Sequence, residues 1–139
     1  MVRSVVLSEY TAEPPDQPGR VKIATLGGAP LYCLERVQAL VEDENRLTLL
    51  TRKCQRDVHN LFDSDLERVA ELIQGLRKDC YIDSEWCENG KGAWAACDAY
   101  SIKRLETALA SGKSMTVEYF VKFAVSKTGQ LVLLVSCHV

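Results

Sequence analysis

Residues 115–126 read Met-Thr-Val-Glu-Tyr-Phe-Val-Lys-Phe-Ala-Val-Ser, and residues 131–138 read Leu-Val-Leu-Leu-Val-Ser-Cys-His. In the first stretch every odd position is apolar or aromatic, whereas the even positions include threonine, glutamate, lysine and serine. A period of two is typical of a β-strand with one buried face. Because Thr128 and Gly129 supply a turn between the two stretches, the sequence predicts that the chain ends in an antiparallel hairpin.

The register of this hairpin decides which polar side chains meet. A slip of one residue moves every side chain of a strand to the other face. A three-residue loop pairs Lys122 with Ser136 and Phe120 with His138, and it places Glu118 on the same face. A two-residue loop instead buries Ser136 in the core. We favour the first register.

Helices are expected before the sheet. Pro30 suits the first turn of a helix, and apolar residues at helical spacing predict a helix over residues 31–43. A strand is expected at 46–51 and a second helix at 53–61. The third helix has the clearest signals, because Ser64 and Glu67 form a capping box, an apolar stripe follows, and Gly75 suits a left-handed closing position.

Shorter strands are predicted next, at residues 79–86 and 93–100, joined by a turn-rich stretch at 88–92. Residues 102–110 are interpreted as a short helix or a loop. The fold class is therefore α/β (α+β), with N-terminal helices packed on a curved antiparallel C-terminal sheet. Residues 1–29 contain several prolines and glycines and predict an extended arm or a weak edge hairpin, so that the domain itself covers residues 30–139.

Composition limits the function classes. A chain of 139 residues that is 47% hydrophobic has apolar material for one domain core. The longest apolar run is far too short to cross a bilayer, so no membrane association is expected. The six cysteines lie in apolar or helical segments without paired spacing, which favours reduced thiols and a cytoplasmic location over a disulfide framework.

Charge is unevenly distributed along the chain. The formal net charge is −2, but residues 1–76 carry nine basic and twelve acidic side chains, whereas residues 101–139 carry five basic and two acidic ones. An anionic ligand is therefore expected at the C-terminal part. The overall balance is unlike the clear basic surplus of strong nucleic-acid binders.

Candidate chemical groups are scattered. His138 follows an apolar strand, and an imidazole can exchange a proton near neutral pH; the alternative is a solvated terminal side chain. Lys122 interrupts an apolar strand and suits a phosphate contact, unless it simply points into water. Lys103 and Arg104 are two adjacent cations that suit the rim of a nucleic-acid site, although a solvated charge pair is the commoner explanation.

Aromatic and metal-binding patterns are weaker. Trp94, Tyr81 and Tyr100 have ring faces on which a nucleobase can stack, but aromatic residues in strands are most often core. Cys54 and His59 are five residues apart on an expected helix, yet no second pair has the spacing of zinc ligands. We therefore expect no metal and no cofactor.

Several short segments form a pattern that begins with a helix of the form Leu-x-x-Val-x-x-Leu-Val after a proline. The segments are Leu34-Glu-Arg-Val37-Gln-Ala-Leu40-Val41, Thr51-Arg52, Gly75-Leu76, Asp79-Cys80-Tyr81, Trp94, Asp98-Ala99-Tyr100, Tyr119-Phe-Val-Lys122 and Val135-Ser136-Cys137-His138. Together they resemble the MqsR-type messenger-RNA interferase toxins of bacteria over residues 30–139. The sequence departs from the family at Ile82, Ala95 and His138, where the family has lysine, glutamine and lysine.

The resemblance implies a RelE-like fold, ribosome-independent cleavage of messenger RNA as the toxin of a type II toxin-antitoxin module, and neutralisation by a cognate antitoxin protein. A metal-independent RNase needs an acid, a base and cations near the reacting phosphate. On this hypothesis two sets of residues serve catalysis and RNA binding. The catalytic set is His138, Lys122, Tyr81 and Tyr100, and the RNA-binding set is Lys103, Arg104, Trp94, Asp98 and Ser136.

Two other hypotheses fit the same sequence. The absence of the family residues at the three positions above, together with the acidic balance, suits a non-catalytic protein-interaction module on the same fold. The cysteines suit a small zinc or redox protein. The interaction module predicts that RNA stays intact while a partner protein is still bound. Metal analysis of the purified protein tests the zinc protein.

Overall fold

The computed structural model describes residues 5–15, 20–89, 91–107 and 110–139. Within these ranges three α-helices and seven β-strands form an α+β fold, as predicted. The helices are α1 Leu34–Leu40, α2 Arg52–Phe62 and α3 Leu66–Gln74. The strands are β1 Val5–Val6, β2 Arg20–Ile23, β3 Leu47–Leu49, β4 Tyr81–Glu88, β5 Ala93–Thr107, β6 Ser114–Val125 and β7 Val132–His138.

All seven described strands belong to one sheet. Its order is β2-β4-β5-β6-β7-β3, with β1 pairing beside β5. Strands β2, β4, β5, β6 and β7 are antiparallel to their neighbours, whereas β3 is parallel to β7 and β1 is parallel to β5. The expected antiparallel sheet is therefore mixed at the two short strands that come from the N-terminal half.

The described part of the first 29 residues belongs to this sheet. Strand β1 pairs with β5, and the chain continues beside β6, where Glu9 N–H donates to the Val125 carbonyl at 2.7 Å. Strand β2 is an edge strand on β4. The hairpin interpretation was wrong, because the two segments pair with different strands and not with each other. Residues 1–4 and 16–19 of the expected arm lie outside the described ranges, and the division at residue 30 stays a prediction.

The helices begin and end for local reasons. The Thr51 hydroxyl accepts a hydrogen bond from the Cys54 N–H at 3.1 Å and caps α2. At α3 the expected cap was displaced by one residue, because Asp65 accepts from the Glu67 N–H at 3.0 Å while Ser64 has a left-handed backbone. Gly75 is right-handed and not left-handed, with φ −80°. Helix α1 is shorter than predicted.

The helices lie over one face of the sheet, and the main core lies between them. Val58 and Phe62 of α2 and Val69 and Ile73 of α3 are buried there. Phe62 stacks on Tyr119 of β6, with ring centroids 5.8 Å apart. We call this side the helix face, and the opposite side of the sheet the open face. No described helix is both long enough and apolar enough to cross a membrane.

Two features of the strands differ from expectation. Strand β5 continues through Thr107, so residues 102–107 are neither helix nor loop; residues 108–109 are outside the described ranges. Residues 101–107 pair with 114–120 as a projecting ribbon. In the last hairpin the predicted pairs Lys122–Ser136 and Phe120–His138 are confirmed, but the three-residue loop is wrong. Beside the turn Phe123 pairs with Leu134, as an even-numbered loop requires, and one extra residue in β7 between Leu134 and Ser136 then produces the predicted pairs.

Candidate nucleic-acid interface

A concavity lies on the open face, between the edge strand β2 and the junction of β3 with α2. Its volume is about 920 Å³. Lys122 of β6 and Ser136 of β7 lie inside it because they are cross-strand partners, and His138 lies two residues further along β7. The groove is also lined by Arg20, Leu50, Thr51, Arg52, Lys53, Gln55, Cys87, Glu88, Asn89, Lys91 and Val135.

The groove is electropositive. Five cationic side chains line it against a single carboxylate, that of Glu88: they are Arg20, Arg52, Lys53, Lys91 and Lys122. Within the described residues, no carboxylate lies within 4 Å of the charged groups of Arg20, Arg52 or Lys91. Because a concave wall of low dielectric focuses such a field, this surface suits an anion although the whole chain is slightly acidic.

The N-terminus of α2 contributes to the same field. Arg52 and Lys53 occupy its first turn, which contains no acidic residue. Cations in this position oppose the helix dipole, although Lys53 is also paired with Asp57 one turn further along α2, at 2.7 Å. The Thr51 hydroxyl both caps α2 and donates to the Val135 carbonyl at 3.2 Å, which ties the helix start to β7 beside Ser136.

Lys122 is not a free cation. Its ammonium forms an ion pair with the Glu85 carboxylate, which also lies 3.3 Å from the Lys22 ammonium. Burial raises the pKa of Glu85, but the hydrogen bond and charge of Lys122, helped by Lys22, outweigh that effect and leave the pKa below its ordinary value. Glu85 therefore stays ionised at neutral pH and offsets part of the charge of Lys122.

His138 is exposed and lies against an aromatic ring. Its imidazole stacks on Phe120, with ring centroids 5.5 Å apart and an angle of 23° between the planes. Phe120 and Lys122 point to the same face of β6, two residues apart. His138 thus combines a proton-transfer group with a defined ring orientation at one end of the groove.

Cys87 lies in the wall of the groove, next to Cys97 on the neighbouring strand. The adjacent Cys97 thiol, aided by nearby Lys122 and Arg20, lowers the pKa of Cys87 despite its burial. Burial raises the pKa of Cys97 itself. All six cysteines are free, and five are buried, which agrees with the expected reduced thiols.

The two tyrosines of the expected catalytic set do not reach this groove. Tyr100 pairs with Val121, so it points to the helix face while Lys122 points to the open face. It is buried against Phe123, and burial raises its pKa. Tyr81 pairs with Tyr100 on the same side, and its hydroxyl lies 2.6 Å from that of Ser84. The four residues of the catalytic set therefore do not converge on one surface, because alternation places the tyrosines on the face opposite Lys122 and His138.

Asp98, expected to contact RNA, is fully buried on the helix face. Its carboxylate accepts hydrogen bonds from the N–H groups of Leu31 and Tyr32, at 2.9 and 3.0 Å, and from the Ser84 hydroxyl at 2.6 Å. Burial raises the pKa of Asp98, and the three hydrogen bonds oppose this shift only in part. The structure assigns Asp98 the role of anchoring the segment that leads into α1, so the RNA contact is not supported.

The remaining expected RNA contacts are divided between the faces. Trp94 is buried with Trp86 and Ala96, so its ring is core and not a stacking surface. Arg104 points to the helix face, where its guanidinium lies 5.9 Å from the centre of the Tyr119 ring. Lys103 is exposed on the open face, opposite Glu118 in the ribbon and away from the groove lining. Ser136 is the one member of this set that lines the groove.

Cys54 and His59 do not form the zinc site that was considered as an alternative. Cys54 is buried, and burial raises the pKa of its thiol to about 12. His59 is exposed at the other end of α2, with its Nδ1 atom 3.1 Å from the Ser64 hydroxyl. A metal ion would need both atoms within its coordination sphere.

Sequence reasoning missed most of the groove. Arg20, Arg52, Lys53 and Lys91 come from three separate segments that only the sheet brings together. One local signal was available: two adjacent cations follow Thr51 where the first turn of a helix usually carries acidic residues. Comparisons with protein-family models, with curated proteins and with solved structures found no match.

Proposed function

We propose that the groove binds single-stranded RNA and that the chain cleaves it without a metal ion, as the toxin of a toxin-antitoxin pair. The observation that supports this proposal is that His138, Ser136 and five cationic side chains line one concave surface. The cationic side chains can bind phosphate groups, and the imidazole can accept or donate a proton. The resemblance to MqsR-type toxins supports the same substrate class.

The reaction needs a base, a proton donor for the leaving oxygen, and cations that stabilise the phosphate. In the proposed step the neutral imidazole of His138 takes the proton of the ribose 2′-hydroxyl, and the 2′-oxygen attacks the adjacent phosphorus. The bond from phosphorus to the 5′-oxygen breaks, and that oxygen takes a proton from water in the open groove. The products are a 2′,3′-cyclic phosphate and a 5′-hydroxyl. In this proposal Arg52, which lines the same groove, stabilises the charge that develops on the phosphate.

The test incubates purified protein with end-labelled RNA in the presence of EDTA. His138→Ala is the informative variant, and His59→Ala is its matched control because His59 is the second histidine and is exposed outside the groove. We expect His138→Ala to lower the cleavage rate at least 100-fold and His59→Ala to retain it. Equal cleavage by both variants would exclude His138 as the base, and intact RNA with the wild type would reject the RNase.

A second function is favoured by the β5–β6 ribbon. In the described structure residues 102–107 and 114–119 pair only with each other, so each strand has an open edge. Leu105 and Met115 are exposed near its tip. Such edges can accept a strand from a partner protein, as a non-catalytic interaction module would require. This function would be favoured if RNA stayed intact with the wild type and with both histidine variants. It would be favoured further if hydrogen exchange of the backbone amides of the ribbon slowed when a partner protein bound.

A further inference from the structure

We infer that the Phe120–His138 pair is a nucleobase-stacking subsite at the end of the groove. It rests on the proposed function and deepens it by naming the part of the ligand that the site selects. The ligand would be a strand with at least one unpaired base, held by its phosphates in the groove and by one base on the imidazole.

The first argument is the geometry of the two rings. They are cross-strand partners whose centroids lie 5.5 Å apart and whose planes are within 23° of parallel. One side of the imidazole is occupied by Phe120, and His138 is exposed, so the other side is open to a ligand. A stacked aromatic pair that ends in an open ring face continues naturally with the π-face of a base.

The second argument is the position of the pair relative to the cations. Phe120 and Lys122 point to the same face, about 7 Å apart along β6. Ser136, the partner of Lys122, is small and leaves the approach open. A strand whose phosphates follow the groove would therefore bring a base to His138.

The third argument is chemical compatibility with the cleavage step. Stacking uses the face of the imidazole, whereas proton transfer uses the nitrogen atoms at its edge. The same ring can therefore hold a base and act on a neighbouring 2′-hydroxyl. The face that Phe120 covers fixes the ring plane for both purposes.

The test compares RNA with an abasic ribose-phosphate oligomer of the same length, under EDTA and with the 2′-hydroxyls methylated so that no cleavage occurs. The wild type should bind RNA about tenfold or more tightly than the abasic oligomer. Phe120→Leu and His138→Ala should lose this preference while keeping their affinity for the abasic oligomer. Leu105→Ala, an exposed apolar side chain of the same sheet outside the pair, should keep it.

A second readout is the fluorescence of a 2-aminopurine base in the RNA, which falls when the base stacks on an aromatic ring. We expect quenching by the wild type and by Leu105→Ala, and no quenching by His138→Ala. Equal binding of RNA and abasic oligomer by the wild type, without quenching, would overturn the subsite while leaving the groove as an anion-binding site. Failure to bind either oligomer would overturn the proposed function as well.

Discussion

The ammonium of Lys122 in β6 and the carboxylate of Glu85 in β4 form an ion pair across the intervening strand β5. The two side chains are only 11% and 6% exposed. Breaking such a pair leaves a charge with little solvent. The pair also decides how Lys122 can act, because a lysine that already faces a carboxylate attracts phosphate less than a free one. Glu85 therefore affects both the stability of the sheet and the net charge of the groove.

Replacing Glu85 by glutamine should separate these two roles. We expect Glu85→Gln to lower the free energy of unfolding by about 1–3 kcal/mol, because Lys122 loses its charged partner. The same change should strengthen RNA binding severalfold, because the groove gains one net positive charge. Urea unfolding and fluorescence anisotropy with labelled RNA measure the two effects. Asp83→Asn, which removes a partly exposed carboxylate beside Lys22, is the control; an unchanged RNA affinity in Glu85→Gln would contradict this account.

The same carboxylate predicts a pH dependence of stability. The pKa of Glu85 is lowered in the folded state, so its ionised form stabilises the fold. That contribution is present above the ordinary pKa of 4.5 and is lost as the pH falls through the lower folded value. The difference in unfolding free energy between wild type and Glu85→Gln should therefore shrink as the pH falls below about 4.5. A difference that stays constant down to pH 2 would exclude this linkage.

Asp98 should be a stability residue and not a binding residue. Asp98→Ala leaves the N–H groups of Leu31 and Tyr32 without their acceptor and should cost about 2–4 kcal/mol. Asp98→Asn keeps the oxygen that accepts from Leu31 and Ser84 but turns its amide N–H₂ towards the Tyr32 N–H, so it should cost less than Asp98→Ala without being neutral. Thermal unfolding ranks the three proteins. RNA affinity at a temperature where all are folded should be equal, and a loss specific to Asp98→Asn would restore the RNA contact.

The two cations at the start of α2 should matter more for RNA binding than for stability. Arg52→Gln with Lys53→Gln removes charges that oppose the helix dipole but also removes the ion pair of Lys53 with Asp57, so thermal stability should change little. RNA affinity should fall about tenfold near 0.1 M salt, and the slope of log affinity against log salt should shrink by about 0.7 for each lost phosphate contact. Lys113→Gln with Lys127→Gln makes the same charge change outside the groove. Equal losses in both double variants would indicate a nonspecific charge effect.

The fold was predictable where local pattern and burial agree. The alternation in residues 115–126 identified β6, and the amphipathic stripes identified α2 and α3. The Lys122–Ser136 pairing was also predicted, yet its cause was missed, because a bulge in the middle of β7 leaves no clear mark in sequence. Residues 102–107 became strand against expectation, since pairing with β6 outweighed their weak local preference.

The site was less predictable because it depends on which face each strand turns inward and on contacts between distant segments. The tyrosines were assigned to the same site as Lys122 for lack of the first kind of information. Tyr100 and Lys122 lie on adjacent strands but on opposite faces. The cations Arg20 and Lys91 were missed for the second reason. They meet at the groove only because β2 adds to the edge of β4 and the β4–β5 turn lies beside it.

The central claim is that RNA lies in the groove on the open face. The most direct measurement is photo-crosslinking of an RNA that contains 4-thiouridine, followed by mass spectrometry of the crosslinked peptides. We expect crosslinks in the segments that contain Arg52, Lys91 and His138, all reduced by unlabelled RNA as competitor. Crosslinks confined to the helix face, near Arg104 or Lys78, would contradict the account, and so would crosslinks that competitor RNA does not reduce.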